Sequence, residues 1–177
     1  HPTLPHIKAA FGDVPLRASE YRGLTSLIAP PDKVHEILHF LRNDPACNYE
    51  LLSDVTAVDY QGYPVDQPAR FAVVWVIRSY VHDLILVVKS YLEPSMDTLG
   101  ADIDPALTID SVCDIWAGAE WMEREVFDMF GITFRNHPDL RRILLWKDYP
   151  AFPLRKDYPL TGRGERETYA TLDRDSR

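Results

Sequence analysis

The sequence predicts an α+β fold, layered like an α/β sandwich: a mostly antiparallel sheet with helices packed on it, followed by an extended C-terminal arm. Three observations carry this. The runs FAVVWVIR (71–78) and LILVVKSYL (84–92) are short, β-branched and joined by residues 79–83, so they read as a hairpin. Both are apolar on both faces, which marks central strands. PPDKVHEILHFLRND (30–44) reads as an amphipathic helix. After Gly131 the periodicity ends, and Pro138, Pro150, Pro153 and Pro159 interrupt a segment rich in aromatics.

The elements follow in order. Residues 14–29 read as two short strands, VPLRA and LTSLIA, around a Tyr-Arg-Gly turn. The helix of 30–44 has Pro31 in its first turn, and Val34, Ile37, Leu38 and Leu41 share one face. ELLSDVTAVDY (50–60) reads as a strand, followed by a polar loop holding Pro64 and Pro68. Residues 93–108 form a loop beyond the hairpin. A helical segment is expected over about 109–130, with Gly118 as a candidate break. Two units result: an α/β domain over 1–131 and an arm over 132–177. A structureless loop of that length does not suit a compact domain. Phe134, Trp146, Tyr149, Phe152, Tyr158 and Tyr169 argue against plain disorder, so the arm is expected to lie on a surface, either its own domain's or a neighbouring subunit's.

Composition narrows the function. The chain has 177 residues, 46% of them hydrophobic and 26% charged, enough to bury a core. The longest apolar run is far short of a membrane span. Cys47 and Cys113 are isolated, with no CxxC, as in a reduced protein. An iron–sulfur cluster requires about four thiolates, so this chain alone does not hold one. Net charge is −8, which disfavours nucleic acid. Residues 1–134 hold 9 Lys/Arg against 20 Asp/Glu, and residues 135–177 hold 10 against 7, so an acidic body carries a mildly basic tail.

The stretch EREVFDMFG (123–131) looks at first like a catalytic helix. Advancing about 100° per residue from Trp121 spreads Met122, Val126, Met129 and Phe130 over one broad apolar region, with Phe127 beyond it. A helix apolar over so much of its circumference is covered on two sides, by its own sheet and by something else. Arg124, Glu125 and Asp128 share a polar strip with Trp121. Glu123 falls between Phe127 and Phe130, where a carboxylate needs a partner, and Arg141, Arg142 and Arg155 are candidates. Glu123 and Glu125 point about 160° apart on the wheel, which does not suit an acid–base pair. The chain contains no nucleophile elbow, P-loop or Rossmann glycine pattern.

Other candidates read as structural. His35 and His39 have helical ligand spacing but no third ligand. His137 before Pro138 reads as an orienting hydrogen bond at the start of the arm. Asp54, Asp59, Asp66, Asp102 and Asp104 lack EF-hand spacing and read as solvated loop acids.

IWAGAEWMEREVFDMFGITFRNHPDLRRILL (115–145) resembles the signature of the thirty-kilodalton subunit family of respiratory complex I, the bacterial NADH:quinone oxidoreductase. The likeness continues through PLRKDYPLTG (153–162) and, more weakly, back through 51–60. It implies a non-catalytic structural subunit of the peripheral arm. Such a protein would carry no cofactor, metal or active site itself, within a complex that holds FMN and Fe-S clusters. Implied partners are the quinone-pocket (forty-nine-kilodalton type) subunit and other peripheral-arm subunits, on the cytoplasmic side of the inner membrane, with membrane contact only through the complex. The resemblance makes Glu123, Arg124, Glu125, Asp128, His137, Arg141, Arg142, Arg155, Lys156 and Asp157 an interface and structural network. The end of the chain, from Arg163, departs from the family's more familiar tail. Related hydrogenases and ferredoxin-linked complexes use a homologous subunit, which leaves the electron donor open.

Overall fold

A computed structural model describes residues 1–100 and 102–165. Its elements are α1 (Leu4–Ala10), β1 (Arg17–Tyr21), β2 (Leu24–Ile28), α2 (Val34–Asn43) and β3 (Leu51–Asp59). Then come β4 (Phe71–Ser79), β5 (Leu84–Leu92), β6 (Thr108–Asp110), α3 (Ala119–Phe130) and β7 (Thr133–Arg135). The main sheet runs β1-β2-β5-β4-β3, and β6 pairs with β7 in a small second sheet. Every neighbour in the main sheet is antiparallel except β2 and β5, which are parallel. The expected α+β architecture is therefore present.

Strand alternation sends Phe71, Val73, Trp75 and Ile77 of β4 and Leu86 and Val88 of β5 into one core. The predicted stripe of α2, Val34, Ile37, Leu38 and Leu41, is fully buried there. Val126, Met129 and Phe130 bring α3 into the same core. The β1–β2 turn passes through Arg22 at φ 52° and Gly23 at φ 81°, the left-handed pair of a tight hairpin.

Three sequence expectations are corrected. The first strand lies at Arg17–Tyr21 rather than 14–18, because Pro15 has no N–H to give a ladder. The helix expected from about 109 begins at Ala119, with Gly118 as its N-cap. Thr108–Asp110 is instead a strand paired in parallel with Thr133–Arg135, so the pairing with β7 overrides the helical pattern. Helix α1 has no counterpart among the expected elements. It buries only Ile7, too little to leave a period, and Thr3 Oγ1 ties it to Tyr49 Oη at 2.8 Å.

The arm's described part lies on the chain's own domain. Ile132, Phe134, Ala151, Phe152 and Arg155 are all buried. Gly131, at φ 72°, ends α3 and turns the chain into it. A Cβ at Gly131 would stand 2.5 Å from Arg155 Nη2 and 2.6 Å from Phe152. Gly131→Ala is expected to cost about 2–4 kcal/mol, from left-handed strain and overpacking together. Urea unfolding should show a lower midpoint at unchanged slope; an unchanged midpoint would contradict this packing.

Candidate functional site

Helix α3 and the arm meet through buried polar groups. Asp128 has no exposed surface. Its Oδ2 accepts the backbone N–H groups of Ile143, Leu144 and Leu145 at 3.0, 2.7 and 2.9 Å. Its Oδ1 takes Arg142 Nη1 at 2.7 Å. Arg142 also donates to the carbonyls of Asp128, Tyr149 and Ala151 and lies over the Phe152 ring. Arg124, itself buried, donates to the carbonyls of Arg141 and Arg142 at 3.0 and 3.1 Å. Burial works against ionisation of Asp128. The N–H groups of the arm and the Arg142 guanidinium outweigh it and hold the carboxyl below its ordinary range.

A second junction fixes the far end of the arm. Buried Asp59, at the end of β3, takes Arg70 Nε at 3.0 Å and Nη2 at 2.8 Å, and the N–H of Lys156 at 2.8 Å. Arg70 Nη2 also reaches Asp157 at 2.8 Å, and the Thr98 hydroxyl donates to the same carboxylate. Burial opposes the charge on Asp59, but Arg70 and the N–H groups of Lys156 and Gln61 lower its pKa on balance. Arg155 donates to the carbonyls of Phe130 and Thr98 at 2.7 and 2.9 Å, with its guanidinium carbon 4.4 Å from the Phe152 centroid.

Glu123 departs from expectation. It is fully buried, yet no arginine reaches it among the described residues. Its oxygens accept the Ser111 hydroxyl at 2.6 Å and the Val112 N–H at 2.8 Å, with Cys113 Sγ at 3.5 Å. The β6–α3 connection therefore fills the position expected for the arm's arginines. Desolvation pushes its pKa up, against Ser111, Val112, His137 and Cys113. Glu125 is exposed on the other side of the helix, so the two glutamates share no cleft.

His137 does orient the start of the arm: Nδ1 accepts the Asp139 N–H at 3.0 Å, which leaves Nε2 to donate to the Glu120 carbonyl at 2.9 Å. Cys113, Glu123 and His137 each present a donor atom within 4.8 Å of the others, a zinc-like donor set. Each is already engaged in the hydrogen bonds above, so metal binding would have to break them. Arg141 pairs on the surface with Asp139 at 2.7 Å. Lys156 joins the network through its backbone, its side chain exposed. Two acids expected to be solvated are not: Asp59 is 4% exposed, and Asp104 is 1% exposed while accepting bonds from Ser95, Met96 and Ala106. Sequence reasoning missed Arg70, Thr98 and Ser111. Arg70 carried one signal, a lone cation immediately before the most apolar strand.

Trp121 shares the helix strip of Asp128, seven residues away, yet is 69% exposed. Residues 142–145 cross the C-terminal half of α3 and leave Trp121 and Glu125, on the outer side of its N-terminal half, uncovered. There Trp121, Met122, Glu125, Ile143 and Leu144 line an open apolar groove, and Leu144 is 62% exposed.

The fold and the two junctions define an α+β domain with a C-terminal segment latched to it by buried charges. Residues 27–164 match the family model described as respiratory-chain NADH dehydrogenase, 30 Kd subunit, and the chain belongs to that family. The corresponding NADH-quinone oxidoreductase subunit of Citrifermentans bemidjiense is 40% identical over 163 residues, covering 92% of this chain and 91% of the relative. Its counterpart from Roseiflexus castenholzii is 38% identical over 175 residues, covering 97% and 89%. A solved trypsin-resistant fragment of Nqo5 superposes with a TM-score of 0.58 at 28% identity, over 78% of this chain and 96% of the fragment. A chain of an archaeal membrane-bound sulfane sulfur reductase shares the fold, with a TM-score of 0.70 at 21% identity, over 98% and 94%. No helix among the described residues is long and apolar enough to cross a membrane.

The buried carboxylates of the latch, together with buried Asp104 outside the arm, carry a signed pH dependence. Asp59, Asp104 and Asp128 have lowered folded pKa values. Their contribution is complete above the unfolded value of about 3.9 and is lost as pH falls through the folded values. Glu123 has the opposite sign, since a raised folded pKa favours the fold less as pH rises. Asp128→Ala is expected to cost about 3–5 kcal/mol at neutral pH, because Arg142 loses its counter-charge. Measured by urea unfolding from neutral to strongly acidic pH, the gap between variant and wild type should narrow below about pH 4. A gap that persists undiminished would show that the grip does not depend on the Asp128 charge.

Proposed function

We propose that this chain is a non-catalytic structural subunit in the peripheral arm of a proton-translocating NADH:quinone oxidoreductase. That complex passes electrons from NADH through FMN and Fe-S clusters, held by other subunits, to quinone. The observation that carries the reading is the bare groove around Trp121 and Leu144, beside a polar network whose groups are engaged within the chain. Buried carboxylates committed to N–H groups and arginines are poor acid–base catalysts. An exposed tryptophan in an apolar groove has the character of an interface hot spot. The partner proposed for this groove is the quinone-pocket, forty-nine-kilodalton type subunit, with the arm also lying against neighbouring peripheral-arm subunits. The complex would sit on the cytoplasmic side of the inner membrane, and this chain would touch the membrane only through it.

A homologous role in a hydrogenase or ferredoxin-linked complex is the second reading. The resemblance to the sulfane sulfur reductase chain supports the shared fold. The names of the relatives at about 40% identity favour the NADH-linked complex. The trypsin-resistant Nqo5 fragment supports an arm that a protease can remove while the body stays folded.

Purification through a tag on this chain tests the proposal. Flavin- and cluster-bearing partners should accompany it, with NADH-dependent quinone reduction, and the isolated chain should show none. Nickel and hydrogen chemistry in the preparation would establish the second reading, and activity of the isolated chain would refute both. Trp121→Ala combined with Leu144→Asp should lower incorporation at least about tenfold while leaving the isolated chain's melting temperature within a few degrees. Normal incorporation would remove the groove from the interface.

A further inference from the structure

The described helices cover one face of the five-stranded sheet. Residues of α1, α2 and α3 join the core on the side of Val73, Trp75 and Val88. The opposite face presents Val74 and Val76 of β4 beside Lys89 and Val87 of β5, with Arg78 beside Ile85. Strand β2 extends this face through Ser26 and Ile28, and β1 adds Arg17 opposite Ile28. None of these side chains belongs to the helix-covered core cluster, although Val74 and Val87 are already shielded by their neighbours, at 8% and 6% exposed. Ile85 is 42% exposed and Leu24, on the same face, 44%.

Two features say that this face is meant to be covered. Strands β4 and β5 are apolar on both sides, the pattern of strands buried on both faces. The parallel β2–β5 pairing lies inside the sheet, and parallel pairs are normally sheltered on both faces, usually by helices. A third feature says what covers it. Residues 1–134 hold 9 Lys/Arg against 20 Asp/Glu, yet three of those cations, Arg17, Arg78 and Lys89, border this apolar strip. Asp54 is the acid of the same face, on β3. Arg78 lies over the Tyr80 ring and pairs with the exposed Asp83 at 3.3 Å. Its buried Nε has no hydrogen-bond partner among the described residues.

We infer that this sheet face docks an amphipathic α-helix of a partner protein. Its apolar stripe lies over Leu24, Ile85 and Val76, and acidic side chains beside the stripe meet Lys89, Arg78 and Arg17. The surface is on the opposite side of the sheet from α3, so it engages a different element from the one that fills the Trp121 groove, and it does not rest on the identity of the complex.

The test is photo-crosslinking in the complex purified through a tag on this chain, with Ile85→p-benzoylphenylalanine as the probe. The expected adduct maps to one helix of another polypeptide that carries Asp or Glu beside an apolar stripe. An adduct to a second copy of this chain, to lipid, or to a basic or non-helical segment overturns the proposal, as does no adduct. Arg17→Glu with Lys89→Glu should reduce recovery of that polypeptide at least about tenfold and leave the Trp121-dependent partner in place. Undiminished recovery overturns the charge pairing. If the double variant fails to fold, the Ile85 adduct decides alone, because that position is exposed and outside the core.

Discussion

The architecture depends on one carboxylate, that of Asp128. It sits without solvent exposure near the end of α3 and takes three successive N–H groups from the arm and the guanidinium of Arg142. An arm without helix or strand at 140–150 leaves backbone N–H groups that must be satisfied once buried. Asp128 satisfies three at once, and they in turn keep it ionised. Arg142 then gathers the carbonyls of Tyr149 and Ala151, so one ion pair organises the stretch that follows it. The Asp59–Arg70–Asp157 group repeats the solution at the other end.

The charge asymmetry of the sequence has a more limited meaning than its totals suggest. An acidic body and a basic tail imply general attraction, yet among the arm's described cations only Arg142 forms a buried ion pair with the body. Arg155 is buried over Phe152 without a described carboxylate at bonding distance, and desolvation lowers its pKa. Lys156 contributes an N–H rather than its ammonium. Arg141 and Lys147 line the surface beside Phe127 and Leu145. Specific geometry, not net charge, closes the arm.

The main sheet and α2 are legible in the sequence because periodicity reports which face is buried. The strands 71–79 and 84–92 and the stripe of α2 lie where the pattern puts them. Strand β6 is not legible, since three residues carry no period and their pairing partner lies beyond the following helix. At the junction, the residue types are legible but not the pairing. Wheel geometry correctly buries Glu123, yet its partners come from the turn immediately before the helix, a stretch whose pattern reads as helix too. The wheel also groups Asp128 with exposed Trp121, because it has no axial coordinate. It cannot show that the arm covers one end of a strip and not the other.

The grip on the arm is made through its backbone. Asp128 binds the N–H groups of 143–145 and asks nothing of the side chains that those residues carry. Ile143 and Leu144 are thereby released to line the outer groove with Trp121. Fastening and display are divided between main chain and side chain at Ile143 and Leu144. Two relatives can therefore exchange the groove's chemistry at 143 and 144 without altering how the arm is held.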